Sequence, residues 1–241
     1  MNLQLAHVVL ADISGYTQFM RLHRMSVIHA EQIITDLLES VIEAARYPLI
    51  LNKLEGDAAL FYSPIANPEE AAESGHVVLR QVREFFEAFN LREKRLVSAC
   101  ALCVCEACGN AGNLRLKVII HTGTIVLKHI RQHEEIAGED VILVHRLLKN
   151  SVPGAEYLML TDAFFQVASP SVEFPTSTRV ERHESGDVVR IHVHYPSGSC
   201  EEHPSAESSL WQRLRTFLRI EAHMVKRTFI KRARSFRNLP P

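Results

Sequence analysis

Asp12, in HVVLADISGYTQFM, and Asp57, in LILNKLEGDAALFY, each stand where a strand-like run ends in a tight turn. A single aspartate in such a place ordinarily caps a helix or closes the turn. Two of them brought to one sheet edge suit a divalent cation that also takes a phosphate ligand, because hard carboxylate oxygens then converge on one point. That convergence requires the strand ending at Asp12 to pair beside a hairpin turning at Gly56-Asp57. A second group of chemistry-bearing residues is Cys100, Cys103, Cys105 and Cys108, four thiols within nine residues. Cys-x2-Cys spacing brings two sulfurs to one tetrahedral zinc. The spacing is compressed, so two ligand sets stay open: all four cysteines, or Cys103, Cys105 and Cys108 with a fourth ligand from elsewhere. A further reading is a set of free thiols behaving as small hydrophobes. The cluster shows no obvious histidine or carboxylate general-base arrangement, so a zinc there is expected to be structural rather than catalytic.

The elements that must position these residues follow from periodicity. Residues 7–13 read as an apolar strand. Residues 26–45 read as a helix, with Val27, Ile28, Ile33, Ile34, Leu37, Leu38, Val41 and Ile42 on one stripe and Pro48 closing it. Runs 49–55 and 58–62 flank Gly56-Asp57 as a hairpin. A second helix is expected over about 68–95, then a cysteine loop at 100–113, a strand at 114–121, a helix at 141–150, a strand at 156–161, a short helix at 162–168, and strands at 178–183 and 188–195. The Ser-, Glu- and Pro-rich stretch 196–209 reads as a linker and 210–237 as a terminal helix within a tail reaching 241.

Composition narrows the class. With 241 residues, 46% hydrophobic and 23% charged, the chain is long and apolar enough for one good core, and too charged for a membrane-spanning class. The start of the sequence runs directly into a strand without a secretory pattern, and the odd count of five cysteines is clustered, so a reduced, cytoplasmic location is expected. The formal net charge of −1 conceals a split. From Leu210 onward nine basic residues face Glu221 alone, about +8, leaving 18 basic and 27 acidic residues, about −9, in 1–209. The tail's apolar stripe (Leu210, Leu214, Phe217, Leu218, Met224, Val225, Phe229) with cations opposite suits packing on its own acidic domain, a partner or an acidic surface. Membrane and nucleic acid rank behind these.

The motifs themselves carry a family resemblance. Val9-Leu10-Ala11-Asp12-Ile13-Ser14-Gly15-Tyr16-Thr17 resembles the Phe-x-Asp-Ile-x-Gly-Phe-Thr opening of class III adenylate and guanylate cyclase domains, and Lys53-Leu54-Glu55-Gly56-Asp57 their Lys-x-x-Gly-Asp hairpin. Ile120-His121-Thr122-Gly123 resembles their Ile-His-x-Gly, and Ile136-Ala137-Gly138-x-x-Val141 through Arg146 their Gly-x-x-Val-Asn-x-Ala-x-Arg helix. The four stand in the family's order over roughly 5–195. A divergent bacterial subfamily marked by Cys-x-Cys-x2-Cys is indicated.

The resemblance implies an α+β fold: a ferredoxin-like βαββαβ, palm-like antiparallel sheet with flanking helices over 1–195, plus the basic C-terminal amphipathic helix. It implies cyclic-nucleotide signalling by a homodimer, with ATP converted to a cyclic nucleotide and pyrophosphate. Asp12 and Asp57 would hold Mg2+ or Mn2+. Lys53 would read the adenine edge, favouring ATP over GTP, with Glu135 at the partner position where adenylate cyclases normally carry Asp or Thr, and Arg146 would steady charge on the transferring phosphoryl group. His121, on an inner strand, reads as a satisfied core histidine.

Three departures weaken the expected catalysis. Ile142 replaces the family asparagine and offers no hydrogen bond. The late phosphate lysine is absent from His183-Glu184-Ser185-Gly186-Asp187, and bulky residues replace glycines in 124–129. Each lost donor costs roughly 2.7–4 kcal/mol of transition-state stabilisation by analogy with oxyanion donors. An adenylate cyclase-like phosphorus–oxygen lyase of weak activity is therefore expected. The alternative is a catalytically degenerate homologue serving as a nucleotide- or metal-binding regulatory module.

Overall fold

A computed structural model describes residues 2–196 except 23–26, 101–102, 104, 170–171 and 183–187. The expected linker and terminal basic helix, and the turn that lacks the family lysine, lie outside the described residues. The chain runs β1 (Asn2–Ser14), α1 (Tyr16–Leu22), α2 (Val27–Ala44), β2 (Ile50–Glu55), β3 (Ala58–Pro64) and α3 (Ala71–Cys100). It continues with α4 (Glu106–Asn110), β4 (Arg115–Ile130), β5 (His133–Ala137), α5 (Glu139–Arg146), β6 (Tyr157–Thr161), α6 (Asp162–Ala168), β7 (Ser177–Arg182) and β8 (Val188–His194).

One sheet carries everything, in the order β2-β3-β1-β4-β6-β8-β7, with β5 paired to β4. Its first four strands have the ferredoxin-like arrangement expected from the sequence. All pairs are antiparallel except β4 with β6, which run parallel. The mixed α+β architecture is thus as the motif order implied.

β1 sits between β3 and β4 and is covered on both faces, which explains why it reads as a continuous apolar run rather than an alternating one. Val9, Ala11 and Ile13 enter the core under α2, α3 and α6. Val8 and Leu10 enter a second core under α5. Burying each of these valine, leucine and isoleucine side chains contributes about 1.5–3 kcal/mol. By the same two-residue period, Asp12 belongs to the α5 face and ends the strand just where that core gives out.

Several elements differ from the sequence reading. β4 continues to Ile130 and folds back as β5, because Thr124, Ile125 and Val126 are β-branched and extend a strand where glycines would have loosened it. α3 reaches Cys100, and α5 stops at Arg146 rather than at 150. α1, a short extra helix, follows Gly15.

Candidate functional site

The two aspartates meet as the hairpin geometry requires. The Ile13 N–H donates to the Asp57 carbonyl at 3.2 Å, and Asp12 stands opposite Ala58 in the β1–β3 register. Gly56 takes the turn at φ 64°, a conformation that a side chain resists. Burial pushes the Asp57 carboxyl up to about 6, and the charge of Asp12 pushes in the same direction, with Lys117 partly opposing.

Lys117 is a residue that the motif reading missed. It faces Asp12 across the β1–β4 register, its Nζ 2.9 Å from Asp12 Oδ2, with side chains only 17% and 11% exposed. Its signal in the sequence is a charge set between apolar neighbours, Leu116-Lys117-Val118-Ile119-Ile120, on a strand covered on both faces. Two carboxylates therefore share one built-in cation, and the pair retains excess negative charge. The donor set fits a further cation of hard character.

The candidate base-reading residues lie at the hairpin and the β4–β5 arm. The β2–β3 register shifts between Leu51 and Lys53, and the residue in the bulge, Asn52, reaches β5: its Nδ2 donates to the Glu134 carbonyl at 3.2 Å. That contact brings Glu135 within electrostatic reach of Lys53. Lys53 pairs with Glu55, and Glu55 in turn lies 2.9 Å from His145 Nε2 on α5. Burial alone would raise the Glu55 carboxyl, but Lys53 and His145 outweigh it and hold it below the usual range. Glu135 is likewise held below the usual range by its hydrogen bond and ion pair with Lys128 at 3.0 Å. Arg146 follows His145 directly and ends the helix, while Ile142, in the place of the family asparagine, is 52% exposed.

His121 docks that helix. Its Nδ1 lies 2.8 Å from Thr161 Oγ1 and its Nε2 3.1 Å from Asp140 Oδ1, while Asp140 also accepts the Thr124 N–H at 2.6 Å. Burial lowers the ring's pKa, and Asp140 opposes that shift. A side chain at Gly123 would place its Cβ 2.2 Å from Asp140 Oδ2, so the glycine of Ile-His-x-Gly leaves the room that Asp140 occupies.

The cysteines gather elsewhere, under α2. Cys103, Cys105 and Cys108 come together with His29, their ligand atoms all within 4.8 Å of one another. Cys100 ends α3, and its side chain lies outside the described residues. Burial pushes the Cys103 thiol up to about 11, with the neighbouring Cys105 and Cys108 sulfurs adding to the shift, so it is no activated nucleophile.

Comparison with known proteins places this architecture. The adenylyl cyclase CyaB from P. aeruginosa superposes with a TM-score of 0.61 over 84% of this chain and 98% of its own, at 15% identity. A class III adenylyl cyclase-like ATP-binding protein from Pseudomonas aeruginosa gives 0.56 over 71% of this chain and 36% of its own, at 19% identity. Identities this low establish the fold, which is that of class III nucleotidyl cyclase domains; the chain is cyclase-like. The profile of the family described as "Protein of unknown function (DUF2652)" matches residues 34–157, and the chain belongs to that family. "Uncharacterized protein Rv2561/Rv2562" of Mycobacterium tuberculosis is 38% identical over 139 residues, 58% of this chain. The chain spans 62% of that relative's length. Among the described residues no helix is long and apolar enough to cross a membrane.

Proposed function

We propose that this chain is a divergent class III nucleotidyl cyclase that takes ATP in preference to GTP and turns over slowly. The observation that carries the reading is the Asp12–Asp57 pair at the end of β1, short of positive charge despite Lys117. Mg2+ or Mn2+, when bound there, supplies charge against the α-phosphate and acidifies the ribose 3′-hydroxyl. The 3′-oxygen then bonds to the α-phosphorus, the bond to pyrophosphate breaks, and the hydroxyl proton leaves to solvent. Lys53, oriented by Glu55, and Glu135, oriented by Lys128, present a cation and an acceptor to the purine edge. Arg146 offers a guanidinium to the phosphoryl oxygens.

A homodimer is part of this reading, residues 1–195 forming the cyclase-homology unit. Leu54 on the strand of Lys53, Ile130 at the end of β4 beside the strand of Glu135, and Ile142 on the helix of Arg146 are each more than half exposed, and a second copy would cover them. The basic tail is expected to dock on the acidic body.

A second reading, a nucleotide-binding regulatory homologue without turnover, is favoured by the exposed Ile142, which supplies no polar contact. The similar Pseudomonas aeruginosa structure is described as an ATP-binding protein, which supports the same alternative. Purified protein with Mn2+ and each nucleoside triphosphate, assayed for cyclic product and pyrophosphate, decides between them. Mixed Asp57→Ala and Arg146→Ala chains should recover activity by complementing one intact site, and Ile142→Asn should raise turnover at least tenfold. ATP binding without product in all of these arms leaves the regulatory module.

A further inference from the structure

We propose that His29, Cys103, Cys105 and Cys108 form a closed structural zinc site. His29 lies on the first turn of α2 (Val27–Ala44), more than seventy residues before the cysteines, and yet its Nδ1 is the point on which they converge. It sits 3.4 Å from Cys105 Sγ, 3.8 Å from Cys103 Sγ and 3.9 Å from Cys108 Sγ. A tetrahedron with zinc–sulfur and zinc–nitrogen bonds of ordinary length has edges of about 3.6–3.8 Å, so the ligand atoms already stand close to the spacing that a zinc requires.

The backbone supports the same assignment. Cys105 caps α4 (Glu106–Asn110), and its sulfur accepts the Cys108 N–H at 3.4 Å. An N–H aimed at a sulfur two or three residues back stabilises a thiolate and gives Cys-x2-Cys its metal-gripping turn. Cys108 is buried, and Cys103 and Cys105 are partly buried against the same apolar core. Four protein ligands leave no open position, which makes the site structural. Binding releases the three thiol protons to solvent and leaves three thiolates, a neutral imidazole and the ion, with net charge of −1.

Such a centre joins α2 to the segment that leads into β4, whose Lys117 lies nine residues beyond Cys108. The inference does not depend on the proposed nucleotide chemistry and stands if that chemistry fails.

The test uses the full chain expressed in zinc-supplemented medium and purified under reducing conditions. The expected result is about one zinc per chain by elemental analysis, retained in Cys100→Ser and Cys200→Ser and lost in Cys105→Ser and Cys108→Ser. Should those two variants fail to fold, cobalt titration of the parent and of His29→Ala decides. The parent should show the visible bands of tetrahedral cobalt with three thiolates, and His29→Ala should bind at least tenfold more weakly with altered bands. Zinc below about a tenth per chain would overturn the proposal. So would zinc that survives His29→Ala unchanged but disappears in Cys100→Ser, because the centre would then be built from four cysteines.

Discussion

Two groups of residues with the chemistry to hold a metal lie in this fold, and they solve the problem of crowded ligands in opposite ways. The carboxylates at the end of β1 carry their own counterion, Lys117, locked at 2.9 Å from Asp12. In the His29–Cys103–Cys105–Cys108 group, among the described residues, the Cys103 thiol is shifted by burial and by the neighbouring Cys105 and Cys108 rather than by a lysine or arginine. The first, in the cyclase reading, can exist without a metal at moderate cost and would take an ion reversibly. The second, in the zinc reading, holds its ion as part of the fold. If both readings hold, the site for exchange keeps a weaker internal substitute, and the site for permanence relies on its ion.

The largest effect should come from emptying the cysteine group. Structural zinc is worth on the order of 10 kcal/mol in domains that depend on it, and this domain has a large core besides, so a strong chelator should lower Tm by on the order of 10 °C. An unchanged Tm with full zinc removal would erase the contrast between the two groups.

Next comes Lys117→Met, which should make the first site behave like the second. Removing one partner of a largely buried pair costs about 3 kcal/mol, read in urea unfolding, and Mn2+ should then restore more stability to this variant than to the parent. Equal restoration would mean that the lysine is no stand-in for a cation.

At saturation near one hundred times Kd, Mn2+ with ATP should stabilise the parent by about 2.7 kcal/mol. The Asp12→Asn, Asp57→Asn double variant should lose that shift. Persistence of the full shift would move the metal elsewhere.

The smallest effect is the dependence on pH. Asp57 titrates at about 6 in the fold against 3.8 as its ordinary value. Below 3.8 the carboxyl is protonated folded or unfolded. Between these values only the folded chain keeps the proton, so metal-free stability contributed by this group falls as pH rises and is gone above about 6. Asp57→Asn should therefore match the parent near pH 4 and become the more stable of the two by pH 7, in roughly that window. His7 works with the opposite sign. Its burial lowers it from 6.5 to about 4, so its contribution is complete above 6.5 and fades as pH falls toward 4. The His7 effect is common to parent and variant and cancels in the comparison. A constant difference between the two proteins across this range would contradict the crowding of Asp57.

The first site was legible in sequence because its parts are local: a strand, a turn and a hairpin, each written within a dozen residues. Lys117 was not, since its role depends on strand register, which pairs it with Asp12 across more than a hundred residues. His29 carried no spacing signal at all; only the packing of α2 on α4 brings it to the cysteines. The β4–β5 arm was hidden for another reason. Residues 124–129 read as departures from a glycine-bearing pattern, whereas the β-branched Thr124, Ile125 and Val126 were themselves the signal for a longer strand. The bulge at Asn52 likewise appears only once β2 and β3 are paired.

His145 and Arg146 are neighbours on one helical turn, and the first latches onto Glu55 while the second ends the helix. A ligand that draws Lys53 off Glu55 leaves that carboxylate to His145 alone and so tightens the latch beside the arginine. Under the proposed cyclase chemistry, whatever occupies the purine end would become a message to the phosphate end within a single chain, and by reciprocity the message would run both ways. Inorganic triphosphate, which has no base, would then be held differently by His145→Ala than by the parent; identical affinity would show that the latch carries no message.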